Sequence, residues 1–378
     1  MDNFSKILEE SYKRALKRGD KPFIAARDIR QRIEAVALCP RNRAGVRALL
    51  AGLLAKMHSP AVDIRKPYTD ITGENGDDCY SGRLYDERYV QRLVDPPYGL
   101  PINATTAFLT PGFRTKNVVL KIGTELEGRP AEMYKALLEL FGLIQDDRIT
   151  PRAVMDETIR LMVIERDQRK GAIKKLVRDI GRGADLLPLS AEEIVTLIGQ
   201  HLACKHAARL PVLIVAAAHQ AASRRLGEMP QPLHAHTAAD SQTKSMGDVE
   251  ITLLTDSDVL TVYEMKHKAV TISDINHAME KIRGHAAGIR NYIFITTEPV
   301  PPEVLRHAAE QYDLLGGTEI AILDCLGFLR HFLHLFHGLR TEFLNAYQAL
   351  LLAEPESAVS HTLKEAFLTL RKAAEGIR

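Results

Sequence analysis

The stretch "GDVEITLLTDSDVLTVYEMKHK", residues 247–268, decides how this chain is read. Apolar and polar residues alternate through "GDVEITLL" (247–254) and again through "DVLTVYEMKHK" (258–268), the period-two pattern of strands. The turn "TDSD" joins them, so the stretch predicts an antiparallel hairpin. Side chains alternate faces along a strand, which puts Glu264, Lys266 and Lys268 on one face and Tyr263, Met265 and His267 on the other. A carboxylate and an ammonium on one face of a mostly apolar strand describe either a solvated edge or a reaction centre.

The hairpin brings the start of its first strand beside the end of its second. Asp248 then comes within reach of Glu264, although 16 residues separate them. Two carboxylates held together repel and raise one another's pKa. A hard divalent cation such as Mg²⁺ removes that conflict, because it binds through one or two carboxylates plus water and phosphate oxygens. A lysine two residues along can orient or deprotonate an attacking water, or offset charge building up on a phosphate. Glu250 shares the face of Asp248 and is the natural substitute if the pairing slips by one pleat.

The elements around the hairpin give the rest of the core. Helices are expected over roughly 190–205 and 211–226, the second carrying His219 and Gln220 as a packed, hydrogen-bonded pair. "LHAHT" could mimic a metal site through His234 and His236, but reads better as the first strand of a meander. "TISDINHAMEKIRGHAAG" is a helix with Ser273 as its N-cap, and "NYIFITT" (291–297) a short buried strand. "PPEVLRHAAEQYDLL" is a helix opened by proline, "EIAILD" is a strand, and 325–377 is mostly helix. Strands alternating with helices imply a mixed sheet covered on both faces.

Glu264-x-Lys266 at the end of a second hairpin strand, a first strand opening Gly247-Asp248, and the element order over 210–300 together resemble the PD-(D/E)XK nuclease superfamily. The core of that superfamily is a helix, a three-stranded meander, a helix and a strand. The resemblance implies that Asp248 and Glu264 are metal ligands, that Lys266 is the catalytic lysine, and that the Met265 carbonyl also touches the metal. The residue before the aspartate is Gly247, where many members have proline.

Over more of its length the chain is similar to the SacI-type restriction endonucleases, through "YDERYVQRLV", "LPINATTAFLTPGFR", the helix before "GDVEI" and the late position of the core. That similarity implies a type II site-specific deoxyribonuclease, a hydrolase that cuts a short site in double-stranded DNA with Mg²⁺, or Mn²⁺ in its place. It also implies a protective DNA methyltransferase as genetic partner. Two cuts need two active sites, so a homodimer is expected. A non-cleaving DNA-binding module, or a repair or modification-dependent nuclease on the same fold, is the alternative.

The first part of the chain differs in character. Residues 1–57 read as helices and hold 13 Lys/Arg against 6 Asp/Glu, a net +7, which leaves −5 on the remainder. A basic segment on a near-neutral chain suits an anionic partner such as nucleic acid, or a solvated helical surface. From Ser59 to about Lys116 the chain is rich in turn formers, and long turn-rich stretches often carry binding function. There Arg83, Arg88, Arg92, Asn103, Thr105, Thr106, Arg114 and Lys116 are the expected DNA-binding residues, because Arg reads guanine, Asn reads adenine, and Thr or Arg grips phosphate. Lys268 is added as a phosphate contact beside Lys266. "GENGDDCYSGR" lacks the spacing of an EF-hand calcium loop. Residues 130–182 return to helix.

The expected whole is an α/β (α+β) protein in two parts. Residues 1–185 form a mainly helical, loop-containing DNA-recognition region. Residues 186–378 form the restriction-endonuclease-like core, a central mixed sheet flanked by helices, with further C-terminal helices. No apolar run approaches the roughly 20 residues that span a bilayer. Four widely spaced cysteines (Cys39, Cys79, Cys204, Cys325) form no C-x-x-C pair, which argues against a zinc module or a disulfide framework and for a cytoplasmic enzyme.

Overall fold

The computed structural model describes residues 3–68, 77–103, 105–114, 116–126, 130–181, 187–233, 245–256, 258–266, 268–284 and 288–376. The chain divides into two compact units, Met1–Gly171 and Ala172–Arg378. No described helix is long and apolar enough to cross a membrane.

The first unit is built on α3 (Ala44–His58), in which every residue from Ala44 to Ala55 is buried. A helix buried on all sides is a central one. Around it lie α1 (Asn3–Arg18), α2 (Arg27–Ala37), α4 (Gly82–Arg88) and α5 (Ala131–Gln145), and the unit ends within the long α6 (Pro151–Gly181). The turn-rich segment folds into α4 and two 3-10 turns, Val90–Leu93 and Ala107–Leu109. One ion pair organises it. Arg47 and Asp86, both fully buried, meet at 2.6 Å, and the second Asp86 oxygen accepts from the Thr106 hydroxyl and the Ala107 amide, each at 2.6 Å. A buried pair is tolerable only when its remaining lone pairs are satisfied, and here Asp86 meets that condition.

The second unit carries a five-stranded sheet of β1 (Glu228–Pro230), β2 (Val249–Leu253), β3 (Val259–Lys266), β4 (Asn291–Thr296) and β5 (Glu319–Asp324), in that order. The first three strands are antiparallel, and β3–β4 and β4–β5 are parallel. The sheet is therefore mixed, as the alternating order predicts. The hairpin strands are shorter than expected, and the ladder shifts register between Ile251 and Thr252. The strand before the hairpin is Glu228–Pro230; His234 and His236 lie outside the described residues.

Period-two burial sorts the sheet into two faces. Val249, Ile251, Tyr263, Met265 and Ile295 pack with α7 (Ala191–Leu202), α8 (Leu210–Leu226) and the helices after the sheet, α11 (Cys325–Leu335), α12 (Arg340–Ala353) and α13 (His361–Ala374). Val262, Tyr292, Phe294 and Ile320 pack with α9 (Ile272–Arg283) and α10 (Pro302–Ala309). Two local expectations need correction. The N-cap of α9 is Thr271, not Ser273, because a capping box closes between Thr271 and Asp274. Gln220 is exposed, so only His219 of that pair is packed.

Candidate active site

Asp248 and Glu264 lie at the same end of the hairpin: the antiparallel ladder ends on the pair Val249 and Tyr263, with Asp248 just before the one and Glu264 just after the other. Two bonds fix Asp248 there: its amide donates to the Tyr263 carbonyl at 2.8 Å, and its Oδ2 accepts from the Met265 amide at 2.8 Å. Those contacts bracket Glu264. Gly247 has a steric reason: a Cβ there would stand 2.6 Å from Val262 Cγ1 and 2.7 Å from the Tyr263 carbonyl oxygen. Glycine permits the close approach that delivers Asp248.

Glu264 points to the α9 face, and its two oxygens have different partners. Oε1 lies 2.8 Å from Lys266 Nζ. Oε2 accepts from Lys281 Nζ at 3.2 Å and from the Tyr292 hydroxyl. Burial pushes the Glu264 carboxyl up, but the bonds from Lys266 and Tyr292 and the charge of Lys281 outweigh it and hold the group below its usual range. Lys266 is also half-buried. Burial pulls its pKa down, and the carboxylates of Glu264 and Asp274, the latter at 3.0 Å, more than restore it, so the ammonium is held above its ordinary value. The ammonium also lies 5.8 Å from the centroid of the Phe294 ring.

Asp274, Lys281 and Tyr292 were not foreseen. Asp274 and Lys281 are seven residues apart on α9, a spacing that places both on one helical face. Tyr292 occupies a strand position where a hydroxyl must find a partner once buried. Those were the available signals. Glu250 is committed elsewhere, accepting from Ser245 Oγ at 3.0 Å and the Met246 amide at 2.6 Å. His219 serves the opposite face of the sheet, with Nε2 2.9 Å from the Tyr263 hydroxyl, and burial holds its pKa down to about 4.

The expected DNA-contacting residues are placed as follows. Arg83 and Arg88 are exposed on α4, Arg83 beside Glu87 at 2.8 Å and Arg88 over the Tyr89 ring. Arg92 is exposed and donates to Ser5 Oγ. Thr105 and Arg114 are exposed, and Lys116 lines a cleft of about 490 Å³ with Ile122, Tyr134 and Lys135. Asn103 offers its carbonyl to Arg47. Thr106 is buried with its hydroxyl given to Asp86. Lys268 is exposed just beyond β3.

A mixed sheet with helices on both faces, carrying Asp, Glu and Lys at one strand end, has the α+β restriction-endonuclease-like form. Residues 189–298 match the family model of the SacI restriction endonuclease C-terminal domain. The match covers less than a third of the chain, and it contains Asp248, Glu264, Met265, Lys266, Asp274, Lys281 and Tyr292. The similarity to SacI-type restriction endonucleases is thereby borne out over these residues. A search of curated proteins returned no match to the chain.

Proposed function

We propose that the protein is a Mg²⁺-dependent type II restriction endonuclease that cuts double-stranded DNA at a short specific site. The observation that supports this reading most is the pairing of Glu264 with Lys266 at one strand end, with Asp248 bonded to the intervening Met265 amide, within the matched segment. The donor set fits a hard divalent cation: all its donors are oxygens, and two are carboxylates. Asp248, Glu264 and the Met265 carbonyl would hold the ion, with Mn²⁺ able to substitute. Bound there, the ion supplies Lewis acidity toward a phosphate oxygen.

The chain's own residues do the rest. Lys281 and Tyr292 hold Glu264 in one orientation from the side of Oε2. Lys266, kept protonated by its two carboxylate neighbours, supplies positive charge and hydrogen bonds to the phosphate as negative charge develops on it. Lys268 lies further along as a phosphate contact. Exposed Arg83, Arg88, Arg92 and Arg114, with Thr105 and Lys116, are proposed to contact the duplex. The buried Thr106 and the Asn103 carbonyl hold the segment's shape.

Cutting both strands calls for two active sites, so the working enzyme is proposed to be a homodimer on a two-fold symmetric site. A cytoplasmic setting and a companion DNA methyltransferase follow from the same reading. Digestion of unmethylated phage DNA with Mg²⁺, followed by mapping of the ends, tests it. Discrete fragments sharing one terminal sequence are expected; intact DNA, or full digestion in excess EDTA, contradicts it.

A further inference from the structure

Lys266 stands between two carboxylates: Nζ is 2.8 Å from Glu264 Oε1 and 3.0 Å from Asp274 Oδ1. Asp274 is itself fixed. Its Oδ2 accepts from the Thr271 amide at 2.9 Å and the Thr271 hydroxyl at 2.7 Å, while its amide donates back to Thr271 Oγ1 at 3.3 Å. The capping box at the start of α9 thus uses one oxygen of Asp274 and aims the other at Lys266. Glu264 divides its oxygens in the same manner, with Oε2 tied to Lys281 and Tyr292 and Oε1 turned to Lys266.

The consequence is a competition. The oxygen of Glu264 that faces Lys266 is also the one turned away from Lys281 and Tyr292, so it is the oxygen a cation would need. An ammonium whose sole acceptor was Glu264 would compete with the ion, and once displaced it would be repelled from the site. We propose that Asp274 is the positioning residue for Lys266: it retains the ammonium at the site when Glu264 Oε1 is given over to a divalent cation. The inference rests on the assignment of Asp248, Glu264 and Lys266 as the reaction centre. It adds a fixed second acceptor that lets one lysine and one ion share a glutamate.

A double-mutant cycle read by Mn²⁺ binding tests this without relying on cleavage. Mn²⁺ affinity is measured by titration calorimetry on the full chain, without DNA, for wild type, Asp274→Asn, Lys266→Ala and the double variant. Asp274→Asn should weaken Mn²⁺ about tenfold, the order of coupling found between charged groups in contact. In the Lys266→Ala background the same change should alter affinity less than about threefold, because no ammonium remains to be rehoused. Asp274→Gln, which keeps a good capping-box residue but not the charge, should weaken Mn²⁺ as Asp274→Asn does and so separates this role from loss of the helix cap.

Equal weakening in both backgrounds would mean that Asp274 acts on the ion through its own charge, and no weakening in either would mean that it does not act; both overturn the proposal. If wild type neither binds Mn²⁺ nor cuts DNA, the nuclease reading falls and takes this inference with it. If wild type binds and cuts while Asp274→Asn matches it in both assays, only this inference falls.

Discussion

The Asp248 carboxylate accepts the Met265 amide at 2.8 Å, so the acid from one strand of the hairpin is fixed against the strand that carries Glu264. Asp248→Asn retains an acceptor for that amide and removes the charge. Cleavage should fall by on the order of 10²-fold or more, the scale of losing one charge-stabilising group from a reaction centre. The melting temperature should hardly move. A comparable loss of thermal stability would instead make Asp248 a structural residue, and differential scanning calorimetry beside a plasmid digest separates the two.

Tyr292 is fully buried and places its hydroxyl against Glu264 Oε2 and, at 3.1 Å, the Met246 carbonyl. Tyr292→Phe should cost about 1–2 kcal/mol of stability by leaving buried acceptors short of a donor. It should also raise the Mg²⁺ concentration needed for half-maximal cutting, by roughly 10- to 100-fold if the hydroxyl orients a ligand as outer partners of metal sites do. A variant with lower stability and an unchanged Mg²⁺ dependence would remove Tyr292 from the site.

The segment expected to read DNA separates into residues with different consequences. Arg88 and Arg114 are exposed, so their alanine variants should melt like wild type. Losing a base contact at either should weaken site-specific binding by about 1–3 kcal/mol. Thr106 is buried on Asp86, so Thr106→Ala should destabilise the fold by roughly 1–3 kcal/mol, the cost of a buried acceptor left unmade. Gel shifts in calcium and thermal melts on the three variants check the pattern. Wild-type binding by both arginine variants would move the reading surface elsewhere on the chain.

His201 predicts a pH dependence of folding. It is fully buried, with Nε2 3.0 Å from the Leu363 carbonyl and Nδ1 3.0 Å from the Tyr347 hydroxyl. A carbonyl can only accept, so Nε2 carries the proton and Nδ1 receives the tyrosine hydroxyl in the neutral ring. Burial lowers its pKa to about 4, against a smaller opposing effect of the Leu363 carbonyl. Between about pH 6.5 and 4 the unfolded chain therefore binds the extra proton, and stability falls as the pH falls through that window. The loss attributable to His201 should approach about 3 kcal/mol below pH 4. Denaturant melts from pH 7.5 to 4 should show a shallower fall in His201→Gln than in wild type; parallel curves would refute the assignment.

Much of the site was legible in the sequence because strands obey a period of two. Once 247–268 was read as a hairpin, the placing of Lys266 beside Glu264, with Asp248 at the same end of the hairpin, followed from alternation. The mixed character of the sheet followed from the succession of strands and helices. Asp274, Lys281 and Tyr292 stayed hidden because their relevance depends on how α9 and β4 seat against β3, a tertiary relation that no local pattern encodes. Thr106 illustrates the opposite failure: a threonine in a turn-rich stretch looks like a surface contact until its neighbour Asp86 proves to be the partner of a buried Arg47. Ser273 was a plausible cap by residue type, but Thr271 was three residues from an aspartate able to complete the box.

The central claim is that the carboxylate and the ammonium on the β3 face form a reaction centre and not a solvated edge. Cleavage of one plasmid by wild type, Glu264→Ala, Lys266→Ala and Lys268→Ala, run beside a gel shift in calcium, tests it most directly. Lys266→Ala should still bind the duplex, which is held through many phosphates, yet lose most cleavage. Glu264→Ala should lose cleavage and recover part of it at high Mn²⁺, and Lys268→Ala should change little. The contradicting result is Lys266→Ala cutting at the wild-type rate.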